Sequence, residues 1–196
     1  GMDWFDALCH AFSTLATGGF STRNGSIGAY QSAYFEWVII VFMFLAGVNF
    51  LMHFRFFTTR DWKPVARNQE LRTYVVLVLL ATVYLVVMLS GNGMADPDVS
   101  YRQFQPDLST FEAHQAHVAA EAQRFNSVES SIRHSLFQVL ATLTGTGYGT
   151  ADFDVWPRSV SMVLVVLMFF GACAGSTSGG MKLIRIIVGG KAAWRE

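Results

Sequence analysis

Apolar residues along this chain are gathered into blocks instead of alternating with polar ones. One block covers residues 34–57, a second 74–89 and a third 160–174. A helix crosses the roughly 30 Å hydrocarbon layer in about 20 residues, so the first two blocks fit a span directly and the third fits if extended. The pattern predicts three membrane spans. Ahead of the first and third blocks lies a shorter, one-sided pattern: Trp4, Leu8, Phe12 and Leu15 in one place, Ile132, Leu136, Leu140 and Leu143 in the other. Both sets have helical spacing, and both run into a glycine-rich turn. The two pieces overlay at one constant offset without gaps. "FSTLATGGFST", 12–22, lies on "LATLTGTGYGT", 140–150, placing Thr14 on Thr142, Leu15 on Leu143, Gly19 on Gly147, Phe20 on Tyr148 and Thr22 on Thr150. Each copy reads as a short helix, a glycine-rich turn, a connector and a span.

A helix of about ten to twelve residues is too short to cross the membrane. If it starts and ends on one side, it must enter partway and return as extended chain. Backbone outside a helix is tolerated at that depth only where protein or a water-filled cavity satisfies its polar groups. The stretch "LTGTGYGTADF" offers backbone and hydroxyl oxygen but no acid, base or thiol before Asp152. Such a return can aim carbonyls at a pore axis and replace the hydration shell of a cation. The C-terminal end of the short helix adds about half a negative charge there, and glycine admits backbone angles that a Cβ would forbid. The plainer alternative is an ordinary exterior turn before a span.

Composition agrees with the membrane reading. The chain has 196 residues, 52% hydrophobic, 14% aromatic and 14% charged, with formal net charge zero. A soluble domain carries about 25% charged residues. With no basic excess, no nucleic-acid partner is expected; the lipid bilayer is. Arg55, Arg60, Lys63, Arg67 and Arg72 cluster between the first two blocks, and Lys182, Arg185, Lys191 and Arg195 follow the third. The segment 92–131 is acidic instead, with Asp96, Asp98, Asp107, Glu112, Glu121 and Glu129 against Arg102 and Arg124. Basic residues stay cytoplasmic, so both glycine-rich turns are expected on the exterior. The opening "GMDWFDALCH" lacks the basic start of a signal peptide, and the chain is expected to be a fragment of a longer protein. Cys9 and Cys173 show no ligand spacing and read as packed thiols.

The third block ends in "GACAGSTSGG", 171–180, poor helix material at about 1 kcal/mol per glycine. An unbroken helix from Val160 to Val188 would be about 43 Å long, more than the hydrocarbon needs. An interruption is expected beneath the second glycine-rich turn. Two other readings compete: a phosphate-binding loop, for which Lys182 arrives one residue late and Leu183 replaces the hydroxyl residue, and a helix C-cap before an interfacial basic helix.

"FDALCHAFSTLATGGFST", "LFQVLATLTGTGYGT" and above all "FFGACAGSTSGGMKLIR" resemble the membrane subunits of the Trk, Ktr and HKT superfamily of potassium transporters, and within it the TrkH family most nearly. The resemblance implies an all-α membrane protein in which transmembrane helices alternate with re-entrant pore helices and filter loops, four such repeats surrounding one pore. This chain would hold the pore loop and inner helix of the second repeat, 1–58, a cytoplasmic linker, 59–72, and the complete third repeat, 73–196. Within that repeat would lie an outer helix 73–91, an exterior insertion 92–131, a pore helix and filter 132–150 and a broken inner helix 158–190. By the same likeness Ala16, Thr17, Gly18, Gly19 and Phe20, with Thr144, Gly145, Thr146, Gly147 and Tyr148, would be two of the four filter walls that bind potassium. Gly145 stands where the likeness leads one to expect threonine or another small residue. Gly175, Ser176, Thr177, Ser178, Gly179 and Gly180 would form an intramembrane gate below the filter. The likeness further implies an inner-membrane, multi-pass protein, a homodimer and a cytoplasmic TrkA-like nucleotide-binding subunit. No cofactor is implied beyond the potassium ion as transported ligand.

Several polar residues carry weaker readings. Asn49 and His53, one helical turn apart in the first block, are expected to hydrogen-bond a neighbouring helix, and Arg55 to snorkel. His114, His117 and Glu121 have helical spacing that suits a metal, against an exposed helix as the plainer reading. Asp152 and Asp154 would either attract cations or serve a turn before Pro157. The rivals to potassium transport are a sodium-permeable relative, which a serine in place of a filter glycine would favour, and an intramembrane enzyme. The serines and histidines do not pair into a nucleophile and base, so no enzyme is expected.

Overall fold

The structure, a computed structural model, describes residues 1–60, 67–91 and 108–193, with the backbone alone at 91 and 108–115. Lys63, Arg195 and the acidic and proline positions of 92–107 lie outside the described residues. Eight helices appear among those described. They are α1 (Trp4–Leu15), α2 (Ala33–Ala46), α3 (Phe50–Thr59), α4 (Gln69–Gly91), α5 (Leu108–Gln123), α6 (Val128–Leu143), α7 (Arg158–Phe169) and α8 (Leu183–Ala193). Two short 3-10 turns, Ser26–Tyr30 and Phe153–Val155, follow α1 and α6. Two-residue strands β1 (Phe170–Gly171) and β2 (Met181–Lys182) pair in parallel; neither pattern nor resemblance anticipates them.

The helices start where side chains can satisfy the unpaired N–H groups of a first turn. Asp3 accepts from Asp6 N at 2.8 Å to open α1, Ser127 and Ser130 form a capping box for α6, and Asn49 accepts from Leu51 N at 2.8 Å to open α3. Helix α4 begins at Gln69, earlier than the expected 73, and α6 at Val128, earlier than 132.

Helix α4 carries the core. Tyr74, Val78, Ala81, Leu85 and Leu89 are buried at helical spacing and pack chiefly on α6 and also on α7, against residues such as Phe137, Leu140, Val160 and Leu164. Its opposite face is equally apolar and exposed, with Val76, Leu79, Leu80, Val83 and Val87. A helix apolar all round belongs in a membrane or a large core, and here the bare face fits lipid. The chain is an all-α membrane protein.

Of the three expected spans, only α4 is an unbroken helix long and apolar enough to cross. The first block is broken: α2 and α3 meet at 95°, where a continuous helix over 34–57 was expected. The third is interrupted too, since α7 ends at Phe169 and α8 starts at Leu183. The two breaks turn out to be one structural feature.

Candidate functional site

Helices α1 and α6 end at equivalent residues, Leu15 and Leu143, and each is followed by an αR cap, Ala16 or Thr144. The next residue enters the left-handed region in both copies, Thr17 at φ 51° and Gly145 at φ 71°. So does the third one on, Gly19 at φ 70° and Gly147 at φ 76°. The overlaid sequences thus share a backbone path. Gly145 is suited to its place: Thr17, at the matching position, bears about 1 kcal/mol of Cβ strain that glycine avoids.

The loops meet each other. A Cβ on Gly19 would lie 1.8 Å from the Thr146 carbonyl oxygen, so only glycine fits. Among the described residues, the carbonyls of 17–20 and 144–148 accept no hydrogen bond. Their neighbours do: Ala16 O accepts from the Thr17 hydroxyl at 2.7 Å, Gly149 O from Gly28 N at 3.1 Å, Thr150 O from Arg124 at 2.5 Å and Ala151 O from Gln138 at 3.1 Å. Two adjacent runs of backbone oxygen, without protein donors, are suited to a dehydrated cation. The hydroxyls of Thr144 and Thr146 bond each other at 2.7 Å.

Polar side chains on α1 and α6 hold the outgoing chain in both copies, and sequence reasoning missed them. His10 Nδ1 donates to Asp6 O at 2.6 Å, and its Nε2 bonds the Ser21 hydroxyl at 2.9 Å. At the overlaid position Gln138 donates to Ala151 O. Asp6 accepts from Tyr30 at 2.8 Å and Arg23 at 3.2 Å, while its counterpart His134 bonds the Thr150 hydroxyl at 3.0 Å. Hydrogen bonds from Thr22, Tyr30 and Arg23 hold the Asp6 carboxyl below its ordinary range. Burial pushes His134 down to about 4, which keeps it neutral. The available signal was a polar pair four residues apart on each apolar helix, Asp6 with His10 and His134 with Gln138. Arg133 adds a buried pair with Glu36 of α2 and bonds Glu129 at 2.9 Å. Hydrogen bonds from Arg133 and Trp37 lower the Glu129 pKa.

The stretch 172–180 is a closed loop between the paired strands, and it joins the break in the first block. Cys173 N donates to Gly47 O at 3.0 Å and Phe50 N donates to Gly175 O at 2.9 Å. The Thr177 hydroxyl donates to Ala46 O at 3.3 Å. The end groups freed where α2 and α3 part are therefore satisfied by the loop, which is what makes such a break tolerable in an apolar setting. Gly47 also sits where a Cβ would come within 2.4 Å of the Tyr74 hydroxyl.

The loop touches both glycine-rich turns. The Thr17 hydroxyl, whose one proton is shared with Ala16 O, reaches Thr177 O at 3.0 Å, and a Cβ on Gly145 would lie 3.7 Å from Gly179 N. Gly175 and Gly180 take φ 71° and 72°. Ser178 Oγ accepts from Ala172 N at 3.0 Å, and Ser176 donates to Cys173 O at 2.6 Å. Lys182 reaches back to Ser178 O, to Ser178 Oγ at 3.2 Å and to Ser176 Oγ at 3.5 Å.

The remaining polar residues serve local structure. Asn49 caps α3, and His53 bonds Leu45 O at 3.0 Å across the bend; the expectation that the pair bridges to a separate neighbouring helix is thus replaced by pinning of the break itself. Asp152 accepts from Asp154 N at 3.0 Å and pairs with His117 at 2.9 Å, a turn role. Glu121 accepts from Asp152 N at 3.2 Å and pairs with Arg124 at 3.0 Å. Helix α5 thereby holds the C-terminal end of the second loop. The His114 side chain lies outside the described residues, among which no His, Cys, Asp and Glu cluster suits a metal. Cys9 and Cys173 are free thiols.

Comparison with known proteins gives concordant matches. The family model for TrkH, described as a cation transport protein, matches residues 2–193. A Trk system potassium uptake protein TrkH from Halomonas elongata is 34% identical over 196 residues, covering 100% of this chain and 34% of that protein. Its namesake from Escherichia coli K12 is 30% identical over the same share of each. The crystal structure of the potassium transporter TrkH from Vibrio parahaemolyticus superposes with a TM-score of 0.75 at 28% identity, covering 100% of this chain and 36% of that one. The chain spans about a third of the length of these relatives.

Proposed function

The chain belongs to the TrkH family of cation transport proteins, and on that premise we propose that it supplies two walls of a potassium pathway in a longer inner-membrane, multi-pass transporter. The observation that carries this reading is the meeting of two equivalent loops, Gly19 against the Thr146 carbonyl, with the oxygens of 17–20 and 144–148 left without protein donors among the described residues. Potassium would shed water against these oxygens, and the C-terminal ends of α1 and α6 would favour its charge. The relatives' names, potassium uptake proteins, support the choice of ion. A sodium-permeable pathway is the rival, and both filter glycines, Gly19 and Gly147, speak for potassium.

The loop 172–180 sits against the glycine-rich turns and, in this reading, obstructs the pathway on the cytoplasmic side as a gate. Arg60 and Arg67 after α3 and Arg185 and Lys191 within α8 favour a cytoplasmic location for those ends, which would turn both filter loops to the periplasm. Closing a ring of four walls requires further repeats, so the working unit is the full-length parent. A homodimer and a TrkA-like cytoplasmic regulatory subunit are proposed partners. No covalent chemistry is asked of any residue.

The test is rubidium uptake by the full-length parent in cells lacking their own potassium uptake systems. Saturable uptake that potassium inhibits and sodium does not is the expected result. Uptake equally inhibited by sodium would favour the rival.

A further inference from the structure

Glu70 stands in the first turn of α4, is only 7% exposed, and takes no part in either glycine-rich turn. A buried carboxylate must be compensated by donors. One of its oxygens, Oε1, accepts from Ala174 N at 2.7 Å and from Ile184 N at 3.3 Å. Ala174 lies on the first limb of the loop 172–180. Ile184 is the second residue of α8, whose N–H has no partner within its own helix and whose dipole favours an anion at that end. A single oxygen thus ties three parts together: the start of α4, the first limb of the loop and the start of α8.

The second limb is held by the opposite charge. Lys182 extends from β2 to Ser178 O, Ser178 Oγ and Ser176 Oγ. It immediately precedes α8, as Glu70 precedes the body of α4. Leu183 N donates to Ala172 O at 3.4 Å, and Lys191 of α8 bonds Gln69 of α4 at 2.8 Å. Displacing α8 from α4 therefore either breaks the Ile184 contact with Glu70 or draws Ala174 along with it.

We infer that Glu70 is a positioning residue for the gate: its carboxylate holds the loop 172–180 in the obstructing position and links that position to α8. This rests on the reading of the loop as the obstruction below the filter. Glu70 touches no ion-binding oxygen, so it sets how often the pathway is open and not what passes.

The test uses the full-length parent in cells, with rubidium influx measured over a range of rubidium concentrations and with sodium as competitor. Glu70→Ala is expected to raise the maximal influx severalfold, while the half-saturating rubidium concentration and the exclusion of sodium stay unchanged. Glu70→Gln, which keeps one acceptor oxygen and most of the packing, should give a smaller rise; it also serves if Glu70→Ala does not reach the membrane. Amide hydrogen exchange on the purified Glu70→Gln parent should show faster exchange over 172–176 and unchanged exchange over 144–148. Unchanged or lower maximal influx in a Glu70→Gln protein present at parental levels overturns the inference. Loss of sodium exclusion in either variant also overturns it. The transport reading fails separately, if the unaltered parent carries no potassium-selective influx.

Discussion

The two glycine-rich turns share a backbone path but not a setting. Phe20 is 82% exposed, whereas Tyr148, its overlaid partner, is 2% exposed. Tyr148 packs against His10 with ring centroids 5.9 Å apart, while Thr144, Thr146 and Thr150 are all buried. Helix α6 is enclosed by α4, α2 and α7. Helix α1 packs mainly on α2 and leaves Trp4, Phe5, Leu8, Phe12 and Leu15 bare. It borders an apolar groove lined by Ala7, Ala11, Val38 and Phe42. The path of such a loop is thus set locally, by left-handed residues at fixed distance from a helix end. Its rigidity is set by the helices that surround it, and this chain provides them for the second loop only.

A Cβ at the matching glycine of each loop should separate the two most strongly. At Gly147 the new atom meets nothing within 4 Å, so Gly147→Ala carries only the left-handed strain of about 1–2 kcal/mol. At Gly19 the same strain is joined by collision with the Thr146 carbonyl. Rubidium uptake by the parent should be abolished by Gly19→Ala and reduced by Gly147→Ala. Equal effects would mean that the loops do not meet in the working protein.

Truncating the overlaid aromatics comes next. Tyr148→Ala should destabilise by about 3–5 kcal/mol, as for other buried aromatics. Phe20→Ala in this chain should stay within about 0.5 kcal/mol, as at other exposed sites. Denaturant unfolding in detergent reads both. If Phe20→Ala costs several kcal/mol in the full-length parent, other parts of that protein cover Phe20.

Arg124→Ala removes the donor to Thr150 O and should cost about 1–3 kcal/mol, the range for a buried acceptor left unsatisfied. Faster amide exchange over 149–152, with no change at the first loop, would show that α5 and the turn after it support only the second.

The smallest expected effect is one of pH. Burial lowers His134 from 6.5 to about 4. The unfolded chain therefore takes up this proton at a higher pH than the folded one. Stability from this residue is complete above about pH 6.5 and declines as the pH falls toward 4. His134→Gln should flatten that part of the stability profile; Asp6, at the overlaid position of the first loop, offers no such histidine to remove.

Much of this was legible in the sequence. The repeat, the short helices and the interrupted third block follow from periodicity and glycine content, because both act on neighbouring residues. The break at 47–49 did not show, since "LAGVNFLM" is apolar enough to pass for helix, and the groups that permit the bend, Cys173 N and Gly175 O, lie far along the chain. The same distance hid Glu70, a residue that looks like an ordinary first-turn acid until the loop is placed on it. Pairs such as Asp6 with His10 were visible at helical spacing, but only the fold shows what they hold.

In the proposed pathway the free oxygens of the two turns bind a dehydrated monovalent cation. Anomalous X-ray scattering from rubidium in crystals of the full-length parent tests it most directly. A peak at coordination distance from carbonyls of both 17–20 and 144–148 is predicted. Well-ordered loops with no peak there, or with those oxygens bonded to protein donors, would rule out cation binding by these turns.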